Sequence, residues 1–310
     1  MNTIFTSQST RQNLNLLYAQ AYIYDKVKRW SITNLIFSVI VPLIMSAAAT
    51  YNRISGLFDT ELVSSLLALY GLLALVINII LSSYTSALRN KAASIQEMYD
   101  CKVLGIRRNE LKVEEVPSDE ISRAAYFFNH QKNEAYKRFG EEGWYVSRMY
   151  DAPQSVMALL CHGKNLGWDR SLRTMLYYLY LFGIFVIPIA ILTYGIFMRS
   201  TLNEVLFNIV FILPLVRYFL LQFIDNMNSI KKSEKLKKYV DKQLSNLKIS
   251  GRVDEERIGY ILRNIQDELF SYRVLCPPVP NYIQRIMKSK NEQVYDDYFE
   301  SNLKEMHLQK

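Results

Sequence analysis

Between Leu159 and Arg170 the chain reads LLCHGKNLGWDR, the stretch most concentrated in residues able to do chemistry. A thiol and an imidazole, Cys161 and His162, stand side by side. Gly163–Lys164 and Gly167–Trp168 follow directly. A zinc site needs ligands spaced as C-x-x-C or H-x-x-x-H. Here the two candidates are adjacent, and the chain has only 3 cysteines and 3 histidines. A phosphate-cradling loop ending at Gly163–Lys164 needs glycine at position 158 and a hydroxyl at 165, where the chain has Ala158 and Asn165. A Cys–His nucleophilic pair needs both side chains within hydrogen-bond reach, and adjacent side chains on a helix point apart. The paired carboxylates Glu141–Glu142 and Asp296–Asp297 read as solvated faces. No catalytic residue, metal or cofactor is expected.

The stretch reads instead as a turn before a membrane helix. Asn165 and Gly167 suit turn conformations, and Asp169 suits a helix N-cap or first turn. Lys164, Trp168, Arg170 and Arg173 then lie near the membrane surface. They form either an interfacial aromatic anchor with its flanking cations, or a group that stacks a base and holds a phosphate.

The elements around this stretch follow from the apolar pattern. A hydrocarbon core of about 30 Å needs roughly 20 helical residues. Four blocks qualify: Ser31–Asn52, Leu62–Leu88, Thr174–Met198 and Val205–Ile224. The first three are free of charged residues, and the fourth holds one, Arg217. Backbone groups in lipid must pair internally, so each block predicts a helix. The hydrophilic residues ahead of the first block mark it as a retained anchor and not a secretory signal. The expected fold is an all-α membrane protein, with four transmembrane helices in two hairpins and a helical cytoplasmic body. Its expected parts are a cytoplasmic N-terminal helix (1–30), hairpin 1 (31–88), a cytoplasmic helical segment (89–173), hairpin 2 (174–225) and a cytoplasmic C-terminal segment (226–310).

Charge sets the expected orientation. The segment to Trp30 holds 4 basic residues, the central segment 14 and the tail 16, against one in each short loop between paired helices. Basic residues stay on the cytoplasmic side, so both termini and the central segment are expected in the cytoplasm. The net charge of +8 then reflects orientation and anionic lipid, with no nucleic acid polymer required as partner. Cys101, Cys161 and Cys276 fall in cytoplasmic segments and are expected as reduced thiols.

Within the second block, Ser64, Gly71, Asn78 and Thr85 recur every seven residues, with Ser82 near the same face. The stripe either packs helices or lines a pore or an oligomer interface. Arg217 either snorkels to the surface or finds a structural partner, or it serves a pore. Pro42, Pro188 and Pro214 can kink their helices. Outside the membrane, Gln8–Lys28, Asn90–Val103, Ser118–Arg138, Asn226–Leu247 and Asp254–Tyr272 predict helices. The last carries Ile258, Ile261, Leu262, Ile265, Leu269 and Phe270 on one face. A short VLGI piece, Val103–Ile106, is the sole strand-like competitor.

Three stretches resemble the SMODS-associating four-transmembrane effector family. They are KAASIQEMYDCKVLGI (Lys91–Ile106), IQDELFSYRVLCPPVPNYIQR (Ile265–Arg285), and a pattern from Trp144–Tyr145 through DAPQSVMALLC (Asp151–Cys161) to Asn165, Trp168–Asp169 and Leu172–Arg173. His162–Gly163 depart from the pattern, since members more often have a glutamine and an arginine there. The resemblance implies a membrane effector of a CBASS-type anti-phage system. A cyclic nucleotide second messenger would bind its cytoplasmic part, and a homo-oligomer would form a pore in the lipid bilayer or disrupt it and arrest growth. On that reading the ligand-binding candidates are Lys164, Trp168, Arg170, Arg173, Tyr272 and Arg273. The pore or gating candidates are Ser64, Gly71, Asn78, Thr85 and Arg217. A constitutive ion channel or transporter, and a scaffold recruiting a cytosolic partner, are the rival readings.

Overall fold

The computed structural model describes residues 3–56, 58–130, 139, 144–197 and 202–306, without the side chains at 46, 49–50, 53–55, 60, 64, 187, 191, 194–195 and 202–214. Among the described residues every regular element is helical and none is a strand. In order they are α1 (Ile4–Gln8), α2 (Arg11–Leu35), one π-helical turn (Ile36–Ile40), α3 (Val41–Ser55), α4 (Thr60–Leu104), α5 (Ser118–Asn129), α6 (Gln154–Phe197), α7 (Leu202–Ser250), α8 (Glu255–Leu275) and α9 (Asn281–Glu305). Among the described residues, three segments are long and apolar enough to cross a membrane: Arg11–Met45, Glu61–Leu104 and Gln154–Ala190. The fourth expected span, Val205–Ile224, lies within α7. Much of it falls on side chains outside the described set; residues 131–138 of the helix expected over Ser118–Arg138, and residues 199–201 between the third and fourth expected blocks, also lie outside the described residues.

The chain divides into two compact units. The first comprises Met1–Lys26, Leu88–Thr174 and Asn228–Lys310; the second comprises Val27–Ala87 and Met175–Met227.

The first unit is built around one apolar core that includes Leu17, Tyr99, Phe128, Met157, Leu159 and Phe299. All six apolar residues expected on one face of α8 are buried. Each contributes about 1.5–3 kcal/mol by leaving water. Asp254 caps that helix, accepting a hydrogen bond from the Arg257 backbone N–H at 3.1 Å.

Several expectations need correction here. The VLGI piece is the end of α4. Gly105 takes φ +71°, where a side chain would be strained, and the Ile106 N–H reaches back to the Cys101 carbonyl at 3.0 Å. The single helix expected from Gln8 to Lys28 is broken at Ser9–Thr10. Buried Gln8 explains the break: its amide donates to the Val146 carbonyl and accepts from the Tyr145 N–H at 2.9 Å. That pins α1 to a distant segment. A helix not foreseen, α9, buries Asn291, Tyr295, Phe299 and Leu303 along a four-residue repeat.

In the second unit, Trp30 packs edge-on to Tyr84, with ring centroids 5.7 Å apart. Asn34 Nδ2 donates to Asn78 Oδ1 at 2.8 Å. The π turn precedes Pro42, which lies in the first turn of α3. Proline lacks a donor and its ring presses on the carbonyl four residues back, Ser38, and a widened turn relieves that pressure. Tyr70 donates its hydroxyl to the Phe37 carbonyl within that turn at 2.8 Å. Tyr180 packs on Phe219 and Tyr177 on Phe223. Leu66, Leu69, Leu72, Leu73, Ile79 and Ile80 are each more than half exposed. So large a contiguous apolar surface belongs against lipid or another protein.

Candidate functional site

The stretch Leu159–Arg170 is not a turn. CHGKNLGWDR lies inside α6, which runs without interruption from Gln154 to Phe197. The glycines stay in the helix because another element needs the space. A Cβ at Gly163 would come within 2.4 Å of the Tyr298 hydroxyl, and one at Gly167 within 1.9 Å of the Tyr295 hydroxyl. The two glycines, one turn apart, let two tyrosines of α9 press against the α6 backbone. Asn165 is likewise no turn residue: its side-chain oxygen accepts from the Trp144 indole N–H at 3.0 Å. Asp169 is not a cap but half of an ion pair with Arg173, Nε to Oδ2 at 2.7 Å.

The six ligand-binding candidates divide into four settings. Trp168 is half-buried between Trp144 (6.1 Å between centroids) and Tyr295 (6.3 Å), and Lys164 Nζ lies 5.9 Å from its ring. Lys164 is buried and donates to the Tyr145 carbonyl at 2.8 Å. Loss of water there pulls its pKa down. Arg173 and Tyr272 meet at Asp169. The Tyr272 hydroxyl donates to the same Oδ2, and Arg173 Nη2 donates to the Pro277 carbonyl at 3.1 Å. Arg273 turns to another carboxylate, donating through Nη1 to Asp100 Oδ2 at 2.5 Å. Arg170 is exposed, with Nη2 3.8 Å from Glu234 Oε1.

Sequence reasoning missed the centre of this arrangement. Glu97 and Asp100, one turn apart on α4, are 0% and 1% exposed. Ionised carboxylates are tolerated at such depth only when paired. Glu97 accepts from Arg263 Nη2 at 2.7 Å and from Gln266 Nε2 at 2.5 Å. Asp100 accepts from Tyr145 Oη at 2.5 Å, Gln266 Nε2 at 3.1 Å and Arg273. Burial, with the Asp100 charge beside it, pushes the Tyr145 hydroxyl far above its ordinary range. The available signal was the resemblance itself. Glu97 and Asp100 lie in the resembling stretch Lys91–Ile106, Tyr145 in the pattern that begins at Trp144, and Gln266 and Arg273 in Ile265–Arg285, and the three stretches meet in one buried polar network.

His162 lies beside it, fully buried, with neither ring nitrogen hydrogen-bonded. Burial lowers its pKa to about 4, against the opposing pull of Asp100. Cys101, Cys161 and Cys276 are free and buried. Burial, followed by Glu97, pushes the Cys101 thiol up to about 12, and burial raises the other two. Thiols held protonated in this way are poor nucleophiles. Among the described residues, no three His, Cys, Asp or Glu side chains are grouped to hold a metal ion.

The pore candidates of the second unit are scattered in role. Gly71 is exposed, with open space around it. Asn78 bonds Asn34, and Ser82 donates to Asn78 at 3.2 Å. Thr85 bonds the Ser82 carbonyl of its own helix at 3.0 Å. The Ser64 side chain lies outside the described residues. Arg217 is exposed on α7.

Residues 2–301 match the family described as the SMODS-associating 4TM effector domain. A protein of Bacillus cereus (strain VD146), named a probable CBASS effector molecule, is 24% identical over 295 residues, covering 92% of this chain and 93% of that protein. No solved structure matches the chain.

Proposed function

Because this chain belongs to the SMODS-associating 4TM effector domain family, we propose that it is a membrane effector of CBASS-type anti-phage defence that a cyclic nucleotide switches on. The observation that carries the reading is the near full-length family match on a chain whose described residues include three helices apolar enough to span a bilayer. On this reading the second unit holds four spans in two hairpins and opens or disrupts the inner membrane as a homo-oligomer. The first unit and both termini lie in the cytoplasm.

The sensing surface we propose centres on Trp168 and Arg170. Arg170 is the exposed cation of the candidate set, and Trp168 offers a half-buried ring for a base. Arg173 and Arg273 are already neutralised by Asp169 and Asp100. They join a ligand only if its phosphates displace a carboxylate. That exchange would give the nucleotide different affinities for the resting and altered arrangements of α6, without which no ligand shifts an equilibrium.

Equilibrium dialysis of the purified full-length protein in detergent against a panel of cyclic di- and trinucleotides tests this. One nucleotide binding with saturable affinity, weakened at least tenfold by Arg170→Gln or Trp168→Ala in protein of unchanged thermal stability, supports the surface. Binding unaffected by both substitutions places the site elsewhere, and no binding by any of the panel removes the nucleotide switch.

A further inference from the structure

The corner that joins α8 to α9 is tied down in an unusual way. Cys276 Sγ accepts from the Ser229 hydroxyl at 3.0 Å. The Pro277 carbonyl accepts from Arg173 Nη2 at 3.1 Å. Asn281 Nδ2 donates to Asp25 Oδ1 at 3.0 Å. Asp25, Arg173 and Ser229 belong to three different helices, and each lies one residue from the point where its helix passes out of the first unit, at Lys26, Thr174 and Asn228. Six consecutive residues of one corner, 276–281, are thus fastened at the level where three helices leave that unit.

The residues flanking the corner are exposed and apolar where a soluble surface would be polar. Leu275 is 65% exposed, Tyr282 54% and Ile286 62%. Tyr282 and Ile286 are one turn apart on α9 and exposed, while Ile283, turned about 100° from Tyr282, is fully buried. Arg285, one turn after Tyr282, and Lys290, one turn after Ile286, are also exposed.

We propose that this corner is a lipid-docking wedge, in which Leu275, Tyr282 and Ile286 enter the interfacial zone of an anionic bilayer while Arg285 and Lys290 meet its headgroups. The proposal rests on reading the apolar helices as membrane spans. Two features favour a bilayer as the occupant. The three tethers hold the wedge where the helices depart toward the apolar segments. The flanking charge is positive, which suits anionic headgroups, whereas the same surface of a second copy would present like charge. Tyrosine with aliphatic neighbours and adjacent cations is also the composition of a membrane interface.

The test uses full-length protein reconstituted in vesicles of phosphatidylglycerol and phosphatidylethanolamine. An environment-sensitive fluorophore is attached at Ile286→Cys, at Tyr260→Cys as an exposed control on α8, and at Leu72→Cys as a marker of the spans. Doxyl-labelled lipids serve as quenchers. The expected result is strong quenching at Leu72→Cys, several-fold stronger quenching at Ile286→Cys than at Tyr260→Cys, and no change on dilution with unlabelled protein. Quenching at Leu72→Cys with Ile286→Cys no different from Tyr260→Cys overturns the wedge alone. Absence of quenching at Leu72→Cys overturns the membrane reading beneath it. A signal at Ile286→Cys that falls as unlabelled protein is added shows a second copy on the surface and also overturns the wedge.

Discussion

Arg273 of α8 donates through Nη1 to Asp100 of α4 at 2.5 Å, and both side chains are at least nine-tenths buried. With Tyr145 and Gln266 on the same carboxylate, the pair joins the three stretches by which the sequence resembles its family. A buried charge left without its partner is far more harmful than the loss of the pair as a whole.

Asp100→Asn is therefore expected to destabilise the first unit by about 3–5 kcal/mol, seen as a large fall in melting temperature of the detergent-purified protein. The double variant Asp100→Leu with Arg273→Met should be less damaged than the sum of the two single changes. Additive losses would show that the two charges do not depend on each other.

The α6–α9 contact is tested by Gly163→Ala. The new methyl would crowd the Tyr298 hydroxyl, and overpacking of this kind costs about 1–3 kcal/mol. Tyr298→Phe removes the nearest clashing atom, so the double variant should recover most of the lost stability. A Gly163→Ala protein as stable as the parent would mean that α9 does not pack on α6 in this way.

His162 gives a pH dependence with a definite sign. Its folded pKa of about 4 lies below the ordinary 6.5, so the unfolded chain takes up a proton more readily. The stability associated with its burial is fully present above pH 6.5 and declines as pH falls toward 4, by at most about 3 kcal/mol. His162→Gln should flatten the melting temperature between those values. An unchanged pH profile would place the acid sensitivity in other groups.

In the second unit, Asn78→Leu removes the hydrogen bond to Asn34. The loss should be about 1 kcal/mol or less, as for other interhelical bonds in membranes, measured by unfolding in mixed detergent micelles. If the residue lines a pore instead, the substitution alters conductance or leakage rate and leaves stability unchanged.

The helical character of the chain was legible because long uncharged apolar blocks and the three- and four-residue spacing on α8 leave few alternatives. The continuity of α6 was not. Asn165, Gly163 and Gly167 carry weak helix propensity, and their reasons for being helical lie in Trp144, Tyr298 and Tyr295, distant in sequence. The small-xxx-small spacing of the two glycines was the one local hint. The α9 stripe, Asn291, Tyr295, Phe299 and Leu303, is regular, but an asparagine and a tyrosine in a polar segment obscure it. Glu97 and Asp100 look like any pair of solvated helix carboxylates until α8 brings Arg263, Gln266 and Arg273 to them. Of the candidate site, cations and aromatics could be picked out from type and position. Which of them are internally neutralised could not, because that depends on partners in other helices.

Dye leakage from vesicles containing the reconstituted protein, recorded with and without each member of a cyclic di- and trinucleotide panel, tests the central claim most directly. A nucleotide-activated effector leaves the vesicles sealed until one nucleotide is added, then releases the dye in a dose-dependent manner, with the response weakened by Arg170→Gln. Leakage of equal rate with and without every nucleotide, or no leakage under any condition, would contradict it.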